Sequence, residues 1–110
     1  MKPTSEHSFR DAEILSWKLS PEVLEVEVSN VFFRGESCGC AKMSFPLITP
    51  AKAMSFDGTK WIEESEVEPL KDIREFYLKQ ERHYSLKGVG AKSGKLVGIC
   101  ILSSEAQISL

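Results

Sequence analysis

Several features that mark large classes of proteins are scarce or missing in this 110-residue sequence. Its three cysteines are an odd number and do not make a disulfide framework, which favours a reducing compartment. Two histidines are too few to suggest a metal site with about four ligands. No apolar run approaches the roughly 18–20 residues that a membrane-spanning helix needs. We therefore expect a cytoplasmic protein with no membrane partner, no metal and no cofactor.

A strong excess of one charge is also absent. The formal net charge is −2, from 14 Lys and Arg against 16 Asp and Glu. Residues 1–70 carry 7 of the cations and 12 of the anions, and residues 71–110 carry the other 7 and 4. The basic residues between positions 79 and 95 enclose one aromatic, Tyr84, which is the least that a nucleic-acid surface requires. We expect mixed, solvated faces and no nucleic-acid partner.

The segment Lys95–Leu102 (KLVGICIL) is apolar on both faces of a strand. Its odd positions (Val97, Ile99, Ile101) point one way and its even positions point the other. A strand with two apolar faces must be covered on both sides, so we expect it at the centre of the fold. The helix or sheet packed on one side can cover only one of these faces. The second face could be covered by the chain's own sheet, by a twin subunit or by a ligand.

Alternation of apolar and polar residues predicts most of the remaining strands. The strongest runs are Asp11–Leu19, Leu24–Val28 with a bulge near Ser29–Asn30, Cys38–Leu47, Ala53–Phe56, Thr59–Ile62, Tyr84–Ala91 and the terminal Ala106–Leu110. Arg34–Ser37 and the pair Asp57-Gly58 are typical of hairpin turns.

One segment, about 66–80, has the spacing of an amphipathic helix. Val67, Leu70, Ile73 and Tyr77 recur every three or four residues, and a capping box precedes them, since Glu68 follows Ser65 by three positions. The sequence therefore predicts one α+β domain over residues 1–110. Its antiparallel, meander-like curved sheet has about six to seven strands, and the one main helix packs on one face.

No spacing of reactive residues indicates catalysis. Lys87–Lys95 is rich in glycine and lysine, but Val89 stands where a P-loop needs glycine and Leu96 where it needs Ser or Thr. His83 has no orienting carboxylate at a suggestive spacing. An enzyme that uses Asp11, Glu13 or His83 is the least favoured hypothesis.

The candidate binding residues are Trp17, Glu25, Glu27, Trp61, Tyr77, Arg82 and His83. Tryptophan is enriched in interface hot spots, although both tryptophans could equally fill the core. Glu25 and Glu27 form an acidic strand face. Tyr77, Arg82 and His83 lie near the end of the predicted helix, where a cation offsets the helix dipole.

The chain ends resemble those of small single-domain bacterial proteins. The resemblance is carried by Phe9–Trp17 (FRDAEILSW), by Leu24-x-Val26-x-Val28 and by Gly94-x-Leu96-x-x-x-Cys100. Some such proteins look like immunity proteins of toxin systems or products of mobile gene cassettes. Arg10 departs from the pattern, because such openings usually carry His there. The resemblance implies binding of a protein partner and carries over no catalytic residue.

Together these observations favour a non-enzymatic protein-interaction module, either a homodimer or a protein that neutralises a partner. The alternative is a small-ligand-binding or accessory domain with an apolar pocket between the helix (Leu70, Ile73, Tyr77) and the sheet.

Overall fold

The computed structural model describes residues 1–9 and 12–110, and within them the backbone forms eleven strands and no helix. The described part of the chain therefore contains no helix that could cross a membrane. In chain order the strands are β1 (His7–Ser8), β2 (Ala12–Leu19), β3 (Val23–Phe33), β4 (Glu36–Pro46), β5 (Lys52–Phe56), β6 (Trp61–Glu64), β7 (Asp72–Ile73), β8 (Glu75–Gln80), β9 (His83–Val89), β10 (Leu96–Leu102) and β11 (Gln107–Ser109).

The strands form two antiparallel sheets that pack face to face. Sheet 1 has the order β11-β4-β3-β2-β7, with β1 added beside the far end of β3. Sheet 2 has the order β6-β5-β10-β9-β8. Their inner faces share one apolar core, in which Phe45 of sheet 1 meets Tyr84 of sheet 2 edge-to-face at 5.4 Å between ring centroids. The fold is an all-β sandwich.

Backbone hydrogen bonds join the two sheets along both sides. On one side, β7 pairs with β2 of sheet 1 while its neighbours bond to sheet 2. The Lys71 N–H donates to the Val89 carbonyl and the Arg74 N–H donates to the Lys87 carbonyl, both at 2.7 Å. On the other side, the Ile48 N–H donates to the carbonyl of Leu102 at 2.9 Å. We call residues 70–74, which bond to both sheets, the corner segment.

The predicted helix over 66–80, and with it the α+β class, is wrong. Leu70 forms a β-bridge with Gly90, and the residues that follow it form β7 and β8. Helical spacing and strand alternation share several apolar positions here, and Phe76 and Leu78 point into the core as alternate residues of a strand. Pairing with β9 decides the outcome, because without this segment the β9 edge would have no partner and its side of the core would be open. The prediction of six to seven strands is also wrong, because the described residues form eleven.

Several strand-level expectations are confirmed. The strands are antiparallel, and β10 is the middle strand of sheet 2. The register between β3 and β4 shifts after Val28, where Asn30 takes a φ of +53°, as the predicted bulge requires. Arg34 and Gly35 form the two-residue connection from β3 to β4, with φ values of +52° and +82°. The type I′ geometry, which needs positive φ at both positions, thus occurs at this turn.

The carboxylate of Glu68 holds the turn between β9 and β10. Its Oε1 accepts the backbone N–H groups of Lys92 at 3.0 Å and Ser93 at 2.9 Å. Burial alone would raise the pKa of Glu68, but the hydrogen bonds from Ser93 and Lys92 outweigh it, and the pKa is lowered. The residue that the capping-box pattern assigns to a helix start therefore anchors a turn. Two N–H groups of the glycine- and lysine-rich segment bind the chain's own carboxylate.

The hydroxyl of Tyr84 is buried in the core and has no hydrogen-bond partner among the residues that the structure describes. Burial also raises the pKa of Tyr84. A buried hydroxyl with no partner costs about 1–3 kcal/mol, so we expect Tyr84→Phe to raise the free energy of unfolding by about 1 kcal/mol. Urea denaturation measures the change. Tyr77→Phe, in which the ring is only half-buried, is the control and should change it by less than about 0.5 kcal/mol. A Tyr84→Phe variant less stable than the wild type would show that the hydroxyl has a partner in solution.

Candidate interaction surface

The outer face of sheet 2 carries more apolar side chains than charged ones. It consists of the side chains that alternate with the core residues on all five strands, and we call it the sheet-2 face. Its eight apolar side chains are all partly exposed to solvent: Met54, Phe56, Trp61, Tyr77, Val89, Leu96, Cys100 and Leu102. Core residues of the same strands, such as Ile99 and Leu86, are fully buried on the opposite side. The second apolar face of the segment Lys95–Leu102 therefore belongs to this surface.

An aromatic and cationic cluster forms the centre of the sheet-2 face. Gly98 has no side chain, and the Trp61 ring lies over it: a Cβ at Gly98 would be 3.5 Å from Trp61 Cζ3 and 3.6 Å from Lys87 Cγ. Lys87 Nζ lies 5.3 Å from the centroid of the Trp61 ring and 5.5 Å from that of Tyr77. Glu75 Oε2 is 3.8 Å from the same ammonium. Side chains of its own sheet thus shield part of the second face of β10.

The cluster is held in place by the register of the sheet. Lys87 is paired with Gly98 of β10 on one side and with Glu75 of β8 on the other. Its side chain therefore lies beside a residue without a side chain and beside a carboxylate. Each cation–π contact of this kind contributes about 0.5–1 kcal/mol at an exposed site. The ammonium charge is therefore compensated locally, and the two rings have preferred positions before any partner arrives.

The outer face of sheet 1 has the opposite character. Its residues form a shallow depression of about 320 Å³ across four strands. Besides Val26 and Met43, whose side chains are buried in the core, the residues that line it are polar: Ser16, Lys18, Glu25, Glu27, Lys42, Ser44, Gln107 and Ser109. The depression on sheet 1 is thus lined by polar side chains, whereas the sheet-2 face carries eight partly exposed apolar ones; Leu15 (52% exposed) and Leu19 (38% exposed) of β2 are apolar exceptions on sheet 1.

The structure brings together only some of the predicted binding residues. Trp61 and Tyr77 meet on the sheet-2 face through Lys87, and half-buried His83 lies at the end of that face, opposite Leu102. Arg82 is exposed in the turn before β9, with a φ of +68°.

The other predicted residues lie elsewhere. Glu25 and Glu27 are on the outer face of sheet 1, and Trp17 packs against the core. Asp11, which belongs to the enzyme hypothesis, lies outside the described residues. The proposed pocket between helix and sheet has no helical wall, because residues 66–80 contain no helix.

Sequence reasoning did not select Met54, Phe56, Leu96 or Lys87 for the site. The predicted two-residue turn at Asp57-Gly58 would place Phe56 opposite Thr59, whereas the longer connection between β5 and β6 places it opposite Trp61, with the ring centroids 5.3 Å apart. The position of Lys87 at the centre of the cluster depends on the pairing between β9 and β10 and on the absence of a side chain at Gly98. That alignment becomes visible only when the strand register is known.

No protein-family model matches this chain, and no curated protein or solved structure is significantly similar to it. The geometry and chemistry of the chain's own two outer faces therefore provide the evidence on its function.

Proposed function

We propose that the chain is a non-enzymatic protein-interaction module that forms a homodimer through the sheet-2 face. The observation that carries this proposal is the contrast between the two outer faces. A sheet face in contact with water normally alternates apolar side chains inward with polar ones outward, as Leu24–Val28 of β3 in sheet 1 do. Sheet 2 instead exposes an apolar surface with tryptophan, tyrosine and methionine, which are enriched in protein interfaces.

The size of the face suits a specific interface. The five strands hold 29 residues in all, and a strand spacing of about 4.8 Å with a rise of about 3.3 Å per residue gives a flat area of roughly 450 Å². Projecting side chains increase its accessible surface beyond that value. A specific interface needs about 1,000 Å² in total, or about 500 Å² on each partner. One such face is therefore large enough for a dimer.

The charges on the face favour a second copy over a strongly charged partner. Lys52 and Lys87 are balanced by Glu63 and Glu75, so two copies can approach without net repulsion. A protein that neutralises a basic or acidic partner would instead present a surface with excess charge of the opposite sign. The immunity-like role implied by the chain ends is thus the weaker form of the proposal, and the test below separates the two.

Substitution of Met54 by lysine tests the homodimer. Met54 lies between Gly98 and Glu63, so the new ammonium has a carboxylate beside it in the monomer and the fold should persist. In a dimer the ammonium would be removed from water, and we expect the dissociation constant to rise at least about 100-fold, because the desolvation of a charge costs several kcal/mol even beside a carboxylate. Light scattering after gel filtration should give twice 12.3 kDa for the wild type and 12.3 kDa for the variant.

Ile48→Lys is the matched control, because Ile48 is an apolar side chain that is 49% exposed in the connection between β4 and β5. It should remain dimeric. Far-UV circular dichroism and thermal melting confirm that both variants fold. A wild-type protein that is monomeric across the concentration range overturns the homodimer, and so does equal weakening by both substitutions.

A further inference from the structure

The depression on sheet 1 is a second candidate site, separate from the sheet-2 face. Two aligned rows of side chains cross four strands, because Ser16, Glu27 and Lys42 are in register on β2, β3 and β4, and Lys18 and Glu25 are in register beside them. Ser44 and Gln107 extend the second row onto β11. Its volume of about 320 Å³ is at the lower end of the range for ligand sites, about 300–1,000 Å³.

The charged groups of this depression form no ion pair among the residues that the structure describes. Glu27 is directly opposite Lys42 and Glu25 is directly opposite Lys18, but within residues 1–9 and 12–110 neither pair closes to an ion pair. Among the described residues, Gln107 is the lining residue whose side chain has a hydrogen bond, which it accepts from the N-terminal ammonium at 3.1 Å. Two carboxylates and two ammonium groups therefore remain free to bind a ligand.

The charges indicate the class of that ligand. Two lysines and two glutamates cancel, so the site selects neither an anion nor a cation. Donors and acceptors alternate across neighbouring strands about 4.8 Å apart. A hydroxyl group both donates and accepts, so neighbouring hydroxyls of one molecule can bridge Lys42 and Glu27, or Lys18 and Glu25. Hydrogen bonds to charged groups are about twice as strong as those between neutral groups.

We propose that the outer face of sheet 1 binds an oligosaccharide through these four charged side chains. The depression is half open to solvent, so it suits a chain of sugar units that makes many hydrogen bonds better than a small molecule that must be enclosed. This site is independent of the sheet-2 face, and both can be occupied at once.

A microarray of plant, bacterial and mammalian oligosaccharides, probed with the full chain, tests the proposal. We expect binding to neutral glycans, and isothermal titration with the strongest of them should show at least a tenfold weaker affinity for Glu27→Gln and for Lys42→Met. Each substitution keeps the size of the side chain and removes its charge. Glu63→Gln on the opposite sheet is the matched control and should bind as the wild type does.

Three results would overturn this site: no signal for any glycan, binding that survives the double variant Glu27→Gln/Lys42→Met, or a preference confined to acidic glycans. Met54→Lys separates this test from that of the dimer, since it lies on the other sheet and should leave glycan affinity per chain unchanged. Loss of the dimer with retained glycan binding would contradict neither proposal.

Discussion

Replacement of Gly88 by alanine is expected to lower the free energy of unfolding by about 3 kcal/mol or more. A Cβ at Gly88 would lie 2.0 Å from the backbone oxygen of Asp72, which cannot move aside as a flexible side chain could. The corner segment would have to shift away from β9. It would then weaken the bond from the Val89 N–H to Asp72 Oδ1, at 2.9 Å, and the two backbone bonds that tie this segment to β9. Chemical denaturation at one fixed protein concentration measures the loss.

Gly98→Ala is the matched control, because Gly98 lies on the neighbouring strand in the same sheet. Its nearest neighbours would be 3.5 Å and 3.6 Å from the new Cβ, which is ordinary van der Waals contact. We expect a change of at most about 1 kcal/mol, since alanine also reduces the entropy of the unfolded chain. Equal losses for the two variants would show that the close approach at the corner segment does not contribute to stability.

The corner segment also shows why the helix could not be separated from a strand in the sequence. Leu70 and Ile73 are core residues in either conformation, and glutamate, lysine and arginine around them favour a helix. The evidence against a helix lies elsewhere in the chain: Gly88 and Gly90 leave room for Asp72 and Glu68 to approach β9. Such long-range compensation is invisible to a periodicity argument.

Local alternation, in contrast, predicted the strands whose two faces meet different surroundings. The run Leu24, Val26, Val28 is buried on the core side of β3, with Glu25 and Glu27 on the polar side. The terminal segment pairs with β4 as β11, as its alternation indicates. These patterns hold because a one-residue slip would turn every apolar side chain of the strand to solvent.

The candidate site was only partly predictable for the same reason. Trp61 and Tyr77 could be selected by residue type, but they lie on strands at opposite edges of sheet 2. Their connection through Lys87 depends on the registers of β9 with β8 and β10. Trp17 has the same residue type and packs against the core, so type alone does not distinguish an interface residue from a core residue.

Two substitutions in β10 should separate the roles of its two apolar faces. Ile99 is fully buried between the sheets, and we expect Ile99→Ala to lower the free energy of unfolding by about 3–5 kcal/mol, because it removes buried apolar surface and leaves a cavity. Leu96 is half-buried on the sheet-2 face. At concentrations where the chain is monomeric, Leu96→Ala should cost less than about 1.5 kcal/mol, because its side chain is already partly in water.

The same pair of variants links packing to the proposed dimer. Leu96→Ala should weaken self-association at concentrations where its fold is intact, whereas Ile99→Ala should lower the midpoint of denaturation before it changes the dissociation constant of the folded chain. Denaturation curves and sedimentation equilibrium measure the two effects separately. If Leu96→Ala destabilises the monomer as much as Ile99→Ala does, the second face of β10 is covered within one chain and the sheet-2 face is not open to a partner. If instead Ile99→Ala mainly lowers the stability of the fold and Leu96→Ala mainly weakens self-association, the two apolar faces of this strand have different occupants: the core on one side and a second molecule on the other.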